Sequence, residues 1–345
     1  MLYKQKKNPQ SIKMQAEDIR YLCFGGGGIR GIAFAGAISE MVRLLRFDLN
    51  RILGACGSSI GALYAAAVVC GKSAAFIENM ARTTSLMDFV APDMTKMFLE
   101  WGLDNTQKLE RWLDTHLGNR RLTFKQLFDD TGKVLKVTAT NLHACSCYMI
   151  DHVSEPDMPI AHGVAISMCL PPMFAPIQHR GHLHVDGGLF NNYPIAEFPA
   201  DQTFGFKCLW KHVTDLHGFE KYFGRLTYCV LASSERALWQ TLDDEYKRRT
   251  IDIDCGDVST INFRMTEHVV SAMIERGKAR FRDFVREHDV RALWSKLDRM
   301  MRQRKTTAAI FGKIRSTTVD HACGASQKNH TTTANTDNNG SLCID

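Results

Sequence analysis

The stretch Ile52-Leu53-Gly54-Ala55-Cys56-Gly57-Ser58-Ser59-Ile60-Gly61-Ala62-Leu63-Tyr64-Ala65-Ala66-Ala67-Val68-Val69-Cys70 decides how this chain is read. Residues 52–56 form a short apolar run, as a buried strand does, and residues 62–70 form an Ala-rich apolar run, as a buried helix does. Between them stands a G-x-S-x-G pentapeptide, Gly57 to Gly61. A strand that turns sharply into a helix pushes one side chain out of the backbone plane. The flanking residues must then be small, because a Cβ would clash in so tight a turn. Ser59 is the central residue and so the candidate nucleophile. The pentapeptide by itself is common, and a plain Gly/Ser turn between two packed elements would carry the same letters. Its weight comes from its neighbours.

Upstream, Ile19 to Phe24 reads as a strand ending in Gly25-Gly26-Gly27-Gly28. Ile29 to Arg46 then carries Ile32, Ala35, Ile38, Val42 and Leu45 at helical spacing. The first 70 residues thus alternate strand, Gly loop, helix, strand, Ser turn, helix, the pattern of an α/β fold with a largely parallel sheet. Downstream, residues 73–130 read as helical and polar, with Trp101, Trp112 and Leu117 as its anchors, and Val134 to Thr140 as a strand with Cys147 to Val153 beside it. Ile160 to Met168 reads as a helix stopped by Pro171-Pro172. His182 to Val185 leads as a strand into Asp186-Gly187-Gly188, and Phe204 to Leu209 is a further strand. Beyond Asp215 the chain reads as helical. Phe281, Phe284, Val285, Leu293, Trp294, Leu297, Met300 and Met301 mark one apolar face, with Arg282, Arg286, Arg291, Lys296 and Arg299 around it. The expected organisation is a basic lead-in at 1–18, a catalytic domain at 19–210, a helical region at 211–315 that packs on it or follows it, and a disordered Ser/Thr/Asn/His-rich tail at 316–345.

With 345 residues, 45% hydrophobic and 23% charged, the composition is that of a globular protein with a large core. No apolar run approaches the roughly 18 to 20 residues that span a bilayer. Met1-Leu2-Tyr3-Lys4-Gln5-Lys6-Lys7 has no apolar stretch after its basic residues, so no signal peptide is expected. The 11 cysteines show no C-x-x-C pair, which argues against a zinc site and for reduced thiols in the cytoplasm. No metal is expected, and any membrane contact is peripheral. The net charge of +6 concentrates at the N-terminus and between Arg276 and Arg315. That basic stretch suits an anionic lipid surface or a solvated helix face; no nucleic-acid recognition motif accompanies it.

Two further motifs sit at the C-terminal ends of strands, where sites assemble in open α/β sheets. In Gly26-Gly27-Gly28-Ile29-Arg30-Gly31, successive glycines let backbone N–H groups converge on one concavity at a helix N-terminus, suited to a phosphate or a developing oxyanion. In Asp186-Gly187-Gly188 the glycines let the backbone approach a site closely. Together with the serine turn, these resemble, in this order, the three signatures of patatin-like phospholipases. Ala165-Ile166-Ser167-Met168, Pro171-Pro172-Met173-Phe174-Ala175-Pro176 and Asn191-Asn192-Tyr193-Pro194 are similar to the family's segments on either side of its aspartate, although Ile166-Ser167 stands where an Ala-Ser pair is usual. The resemblance covers roughly residues 19 to 210.

The resemblance implies a three-layer α/β/α fold with a mainly parallel central sheet. It also implies a serine hydrolase of lipid esters that needs no cofactor. Ser59 would be the nucleophile and Asp186 the general base, with no histidine between them. The N–H groups of Gly26, Gly27 and Gly28 would form the oxyanion hole, and Gly31, Gly57, Gly61, Gly187 and Gly188 would shape the motifs. Lipid or phospholipid is the implied substrate, and the architecture leaves room for a protein activator or a lid. Arg30 has two readings: it faces a lipid phosphate or orders the oxyanion loop, or it is a structural arginine of the helix N-terminal turn. Two other readings stay open. Gly26-x-Gly28-x-x-Gly31 with Asp48 matches a dinucleotide-binding fingerprint, which leaves the serine turn and Asp186 unexplained. A non-catalytic lipid-binding protein of the same fold is the other.

Overall fold

A computed structural model describes residues 18–85, 88–91, 93–117, 121–209, 217–256, 258 and 265–288. The first units are β1 (Tyr21–Phe24), α1 (Ile32–Leu45), β2 (Gly54–Gly57) and α2 (Ile60–Val69). Four helices follow: α3 (Ala74–Thr83), α4 (Met94–Leu99), α5 (Gln107–Leu117) and α6 (Phe124–Thr131). Next come β3 (Val134–Asn141), β4 (Ser146–Ile150), α7 (Ile160–Ser167), β5 (Ile177–His179), β6 (His182–Asp186) and α8 (Gly188–Asn191). The last elements are β7 (Thr203–Cys208), α9 (Phe219–Thr241), α10 (Asp244–Arg248), β8 (Thr250–Ile253) and a helix over 267–288, α11.

β1 lies between β2 and β7, parallel to both; β3 continues the parallel set beyond β2 and β8 beyond β7. The eight-residue β3 then does something the parallel strands do not. Val137 pairs with Gly57 of β2 and with Ile150 of β4, and Ala139 pairs with Asp186 of β6 and with Tyr148 of β4. A strand has two edges, so β4 takes one edge of β3 while β2 and β6 share the other, end to end. β2 runs with β3 and β6 runs against it. Their C-termini therefore point at each other, and the residues that follow each strand meet at one place. This register positions the site.

Side chains alternate across the sheet. On β1, Leu22 and Phe24 enter the larger core and Cys23 the smaller; on β2, Ala55 enters the larger and Cys56 the smaller. The larger core is filled by helices α1, α2, α5, α7 and α11 through Phe34, Leu63, Leu113, Ile166 and Phe281. The smaller is filled by Tyr193, Ile195, Phe198 and Leu242. Helices on both faces make the fold three-layered, α/β/α, and explain why the central strands read as continuous apolar runs.

One helix crossing is unusually close. A Cβ on Gly36 of α1 would collide with the Ile274 carbonyl of α11, and a Cβ on Gly277 of α11 would collide with the Ala33 carbonyl of α1. Backbone atoms cannot swing aside as a side chain can. Gly277→Val is therefore expected to destabilise the protein by about 3 kcal/mol, read as a lower midpoint in urea at unchanged slope.

The sequence places only helix beyond Asp215, yet β8 lies there and extends the sheet past β7. Four residues, Thr250-Ile251-Asp252-Ile253, are too few for a strand period to stand out between helices. β5, three residues long, is likewise absent from the sequence reading. The sheet thus continues past residue 210, to Ile253. Of the apolar face that starts at Phe281, the part up to residue 288 packs inward, with Phe281 and Phe284 buried and Arg282 Nη1 3.4 Å from Glu40 Oε1. The remainder of that face, residues 1–17 of the lead-in, and the tail lie outside the described residues.

Candidate active site

The turn between β2 and α2 is a strained elbow. Ser59 has φ 54° and ψ −127°, a conformation that L-residues seldom adopt and that is retained mainly where function needs it. Its surroundings hold it there. Ser58 N–H donates to the Phe24 carbonyl (3.2 Å), Gly61 N–H to the Ser58 carbonyl (2.8 Å), and Ser59 N–H to Ser167 Oγ (3.0 Å). A Cβ on Gly57 would strike the Gly61 carbonyl, and one on Gly61 would strike the Phe24 carbonyl. Both glycines of the pentapeptide are thus sterically required. The two adjacent hydroxyls part company: Ser59 lines the neighbouring cavity, whereas Ser58 Oγ is buried without a hydrogen-bond partner.

Asp186 arrives from the opposing strand end and is fully buried. Its backbone is fixed on both sides, N–H to the Cys169 carbonyl (2.9 Å) and carbonyl to Thr140 Oγ1 (2.8 Å). Its Oδ1 accepts the Gly188 N–H at 2.8 Å, and Oδ2 is buried with no well-formed hydrogen bond. Burial raises the carboxyl pKa from 3.8 to about 7 and outweighs the opposing pull of the nearby Ser59 hydroxyl and the Gly188 N–H. The carboxyl therefore titrates near neutrality, where a general base works best. Among the described residues no histidine is hydrogen-bonded to either residue. His184, the buried histidine on β6, instead places Nδ1 3.2 Å from the His182 carbonyl.

The glycine loop faces the elbow but not as the sequence suggests. Gly26 N–H donates to the Asn192 carbonyl at 2.9 Å, so in this structure it is engaged within the fold. A chain of three glycines looks alike in sequence; only the tertiary contact with Asn192 sets the first apart. Gly28 (φ 56°) lines the cavity beside Ser59. Arg30 is buried, its Nε 3.3 Å from the Gly27 carbonyl, so its side chain is turned back onto the loop. Gly31 packs against Ile60, the first residue of α2. Gly187 and Gly188 bring the chain after Asp186 against Thr138 and Asn192.

Behind the loop lies a buried polar chain that sequence reading missed. Asn192 Nδ2 donates to the Gly26 carbonyl (3.3 Å) and to Glu235 Oε2 (2.8 Å). Glu235 Oε1 meets Lys207 Nζ at 3.1 Å, and Lys207 also meets Asp252 Oδ1 at 2.7 Å. Glu235 on α9 thus braces Asn192, which holds Gly26 through two bonds. One signal was available: Lys207 interrupts the apolar strand Phe204-Gly205-Phe206-Lys207-Cys208, and a lysine there needs a buried acid. Nothing in the sequence says the acid is Glu235.

Ser59 opens onto a cavity of about 830 Å³, counting the space at its mouth. Ile60, Leu63, Phe89, Trp112, Met168 and Phe174 give its wall an apolar character, with Tyr64 and Thr84 the polar side chains besides Ser59. An apolar cavity with a serine on its wall suits an ester of a long acyl chain better than a charged dinucleotide.

Known proteins are similar to this chain in sequence or in fold. The chain is 27% identical over 197 residues to the protein named "Probable lipid hydrolase 463L" of Invertebrate iridescent virus 6, a match covering 54% of this chain and 66% of that protein. It is 25% identical over 292 residues to YqhO of Bacillus subtilis, covering 76% of this chain and 97% of that one. The fold is similar to that of VipD from Legionella pneumophila, with a TM-score of 0.55 at 16% identity over 79% of this chain and 67% of VipD. It is also similar to ExoU in its heterodimer with SpcU from Pseudomonas aeruginosa, with a TM-score of 0.50 at 16% identity over 79% of this chain and 52% of the other. A model of the patatin-like phospholipase family matches residues 22–199, which is more than half of the chain and spans the elbow, the glycine loop and Asp186; the chain belongs to that family.

Proposed function

We propose that the protein is a lipid acyl hydrolase of the phospholipase A or lysophospholipase type, working through a Ser59–Asp186 dyad. The observation that carries this reading is the register on β3. It sets the ends of β2 and β6 head to head, which supports pairing the strained Ser59, on the wall of an apolar cavity, with the buried Asp186 carboxyl.

The acyl chain of a glycerolipid lies in the cavity and presents its ester carbonyl at Ser59. Ser59 Oγ attacks the carbonyl carbon as its proton passes to the Asp186 carboxylate. The negative charge that forms on the carbonyl oxygen is held by the N–H groups of Gly27 and Gly28, with the N-terminus of α2 adding partial positive charge. Gly26 serves the loop by holding it to Asn192. Collapse of the tetrahedral adduct breaks the C–O bond, and Asp186 returns the proton to the leaving alcohol. Water then attacks the acyl-enzyme, giving its proton to Asp186; the bond from the acyl carbon to Ser59 Oγ breaks, Asp186 returns that proton to Ser59 Oγ, and free fatty acid leaves. The protein would meet its substrate at a lipid surface, and the reaction as drawn needs no cofactor. Arg30 acts on the loop and not on the lipid phosphate.

The carboxyl predicts the pH dependence. Only ionised Asp186 can take the serine proton, and burial sets its pKa at about 7. We expect kcat/KM for a nitrophenyl ester to climb with pH along a single ionisation centred near 7, falling about tenfold per unit well below it. A limb centred near 4 would mean that the carboxyl is solvated or is not the base.

A further inference from the structure

The loop carrying α4 is a second surface of interest, and it lies outside the catalytic machinery. Asp93 N–H donates to the Leu103 carbonyl at 3.1 Å, closing residues 93–103 into a compact loop. Its base is pinned to the cavity wall: Leu103 N–H donates to the Pro172 carbonyl (2.9 Å), Asp104 N–H to the Met173 carbonyl (3.2 Å), and Ala175 N–H to the Asp104 carbonyl (2.8 Å). The buried Asp104 carboxylate fixes the base further, accepting from Ala91 and Asn105 N–H, each at 2.8 Å. Met173 and Phe174 are themselves cavity-lining residues. The loop is therefore a protrusion rigidly joined to the wall of the acyl cavity.

What it presents to solvent is apolar. Met94, Phe98, Leu99 and Trp101 are 57%, 76%, 75% and 62% exposed, and α4 buries none of its residues. Trp101 also has φ 64°, a left-handed conformation that is an outlier for a bulky residue. Large apolar side chains held out at a strained position, on a base made of cavity wall, are costly in water and useful at an interface. Aromatic side chains beside aliphatic ones suit the boundary between headgroups and acyl chains. The charge of the loop selects the kind of surface. Residues 93–104 carry Asp93, Glu100 and Asp104 against Lys96 alone, so attraction to anionic headgroups is not what would hold it.

We infer that this loop inserts Phe98, Leu99 and Trp101 into the surface of a phospholipid layer, seating the cavity on its substrate. The inference rests on the lipid-hydrolase reading of the site for its purpose but not for its test. It places the membrane contact on α4, not on the basic segment after Phe281.

The test is flotation with neutral phosphatidylcholine vesicles, using Ser59→Ala protein so that binding is read without turnover. Adding Phe98→Ser, Leu99→Ser and Trp101→Ser is expected to lower vesicle partition about 100-fold, with equal binding to neutral vesicles and vesicles containing phosphatidylglycerol before the substitutions. The same three changes in the Ser59 enzyme should leave hydrolysis of a water-soluble nitrophenyl ester within about twofold and slow hydrolysis of vesicle lipid. Absent binding, binding that needs phosphatidylglycerol, or binding that survives the three substitutions would overturn the inference. So would a dimer in solution that the substitutions dissolve, since the patch would then serve a second copy. Loss of ester hydrolysis in the Ser59 enzyme itself would count against the catalytic reading and leave the flotation result to be read separately.

Discussion

Ser59→Ala is expected to lower kcat for ester hydrolysis by about 10,000-fold or more while the protein stays folded. The proposed oxyanion donors and the cavity survive the change, so the loss isolates the proposed nucleophile. Stability should move by less than about 1 kcal/mol, because the Ser59 N–H keeps its bond to Ser167 Oγ and the φ of 54° is equally strained for alanine. The neighbouring hydroxyl supplies the control. Ser58 Oγ is buried with no hydrogen-bond partner, so Ser58→Ala removes an unsatisfied polar atom and should be neutral or stabilising, with activity kept. An inactive Ser58→Ala beside an active Ser59→Ala would move the nucleophile by one residue and break the elbow argument.

Asp186→Asn should reduce kcat by about 100- to 10,000-fold, the range over which a positioned general base contributes. The same change should make the protein more stable at neutral and higher pH. The amide oxygen of the substituted side chain can still accept the Gly188 N–H, and the cost of a buried charge is gone. The sign follows from the two pKa values. The carboxyl titrates near 3.8 in the unfolded chain and near 7 when folded. Below pH 4 both states hold the proton, and wild type and variant differ little. Between pH 4 and 7 the unfolded chain gives up its proton while the folded protein keeps it, so wild-type stability falls as pH rises. The fall levels off above pH 7 at no more than about 4 kcal/mol, roughly 3 units at 1.36 kcal/mol each. Urea unfolding of both proteins at pH 4.5 and 8.0 reads this as a gap that opens with pH. A gap that is constant, or that opens toward acid, would mean Asp186 is held ionised by a partner, and its role as a base near neutrality would fail.

Much of the site was legible because its chemistry is local. The elbow needs a glycine at position 57 for contacts within a few residues, and one at position 61 for the close approach to the end of β1. The strand ends at Phe24, Gly57 and Asp186 follow from strand-like runs that stop at or beside glycine. The lipid-hydrolase family followed from three such motifs in order. What stayed hidden depends on pairings distant in the chain. Gly26, Gly27 and Gly28 look equivalent until Asn192 takes the N–H of the first. Glu235 reads as one more charged residue on a helix until Lys207 and Asn192 close on it. β8 is too short to carry a period. The head-to-head approach of β2 and β6 is likewise invisible in sequence, since β6 has no mark of running antiparallel to β3. The α4 loop was read as part of a polar helical stretch with Trp101 as an anchor; Trp112 and Leu117 do pack inward, but Trp101 is exposed beside Phe98 and Leu99, because exposure is a property of the folded surface.

The most direct measurement of the central claim is reaction of the folded protein with a fluorophosphonate, followed by peptide mass mapping. The dyad predicts one adduct, on Ser59, that is absent from Ser59→Ala, forms at least 100-fold more slowly in Asp186→Asn, and slows in wild type as pH falls through 7. An adduct on Ser58 or on another serine, or labelling of Ser59 at the same rate without the Asp186 carboxylate, would contradict it.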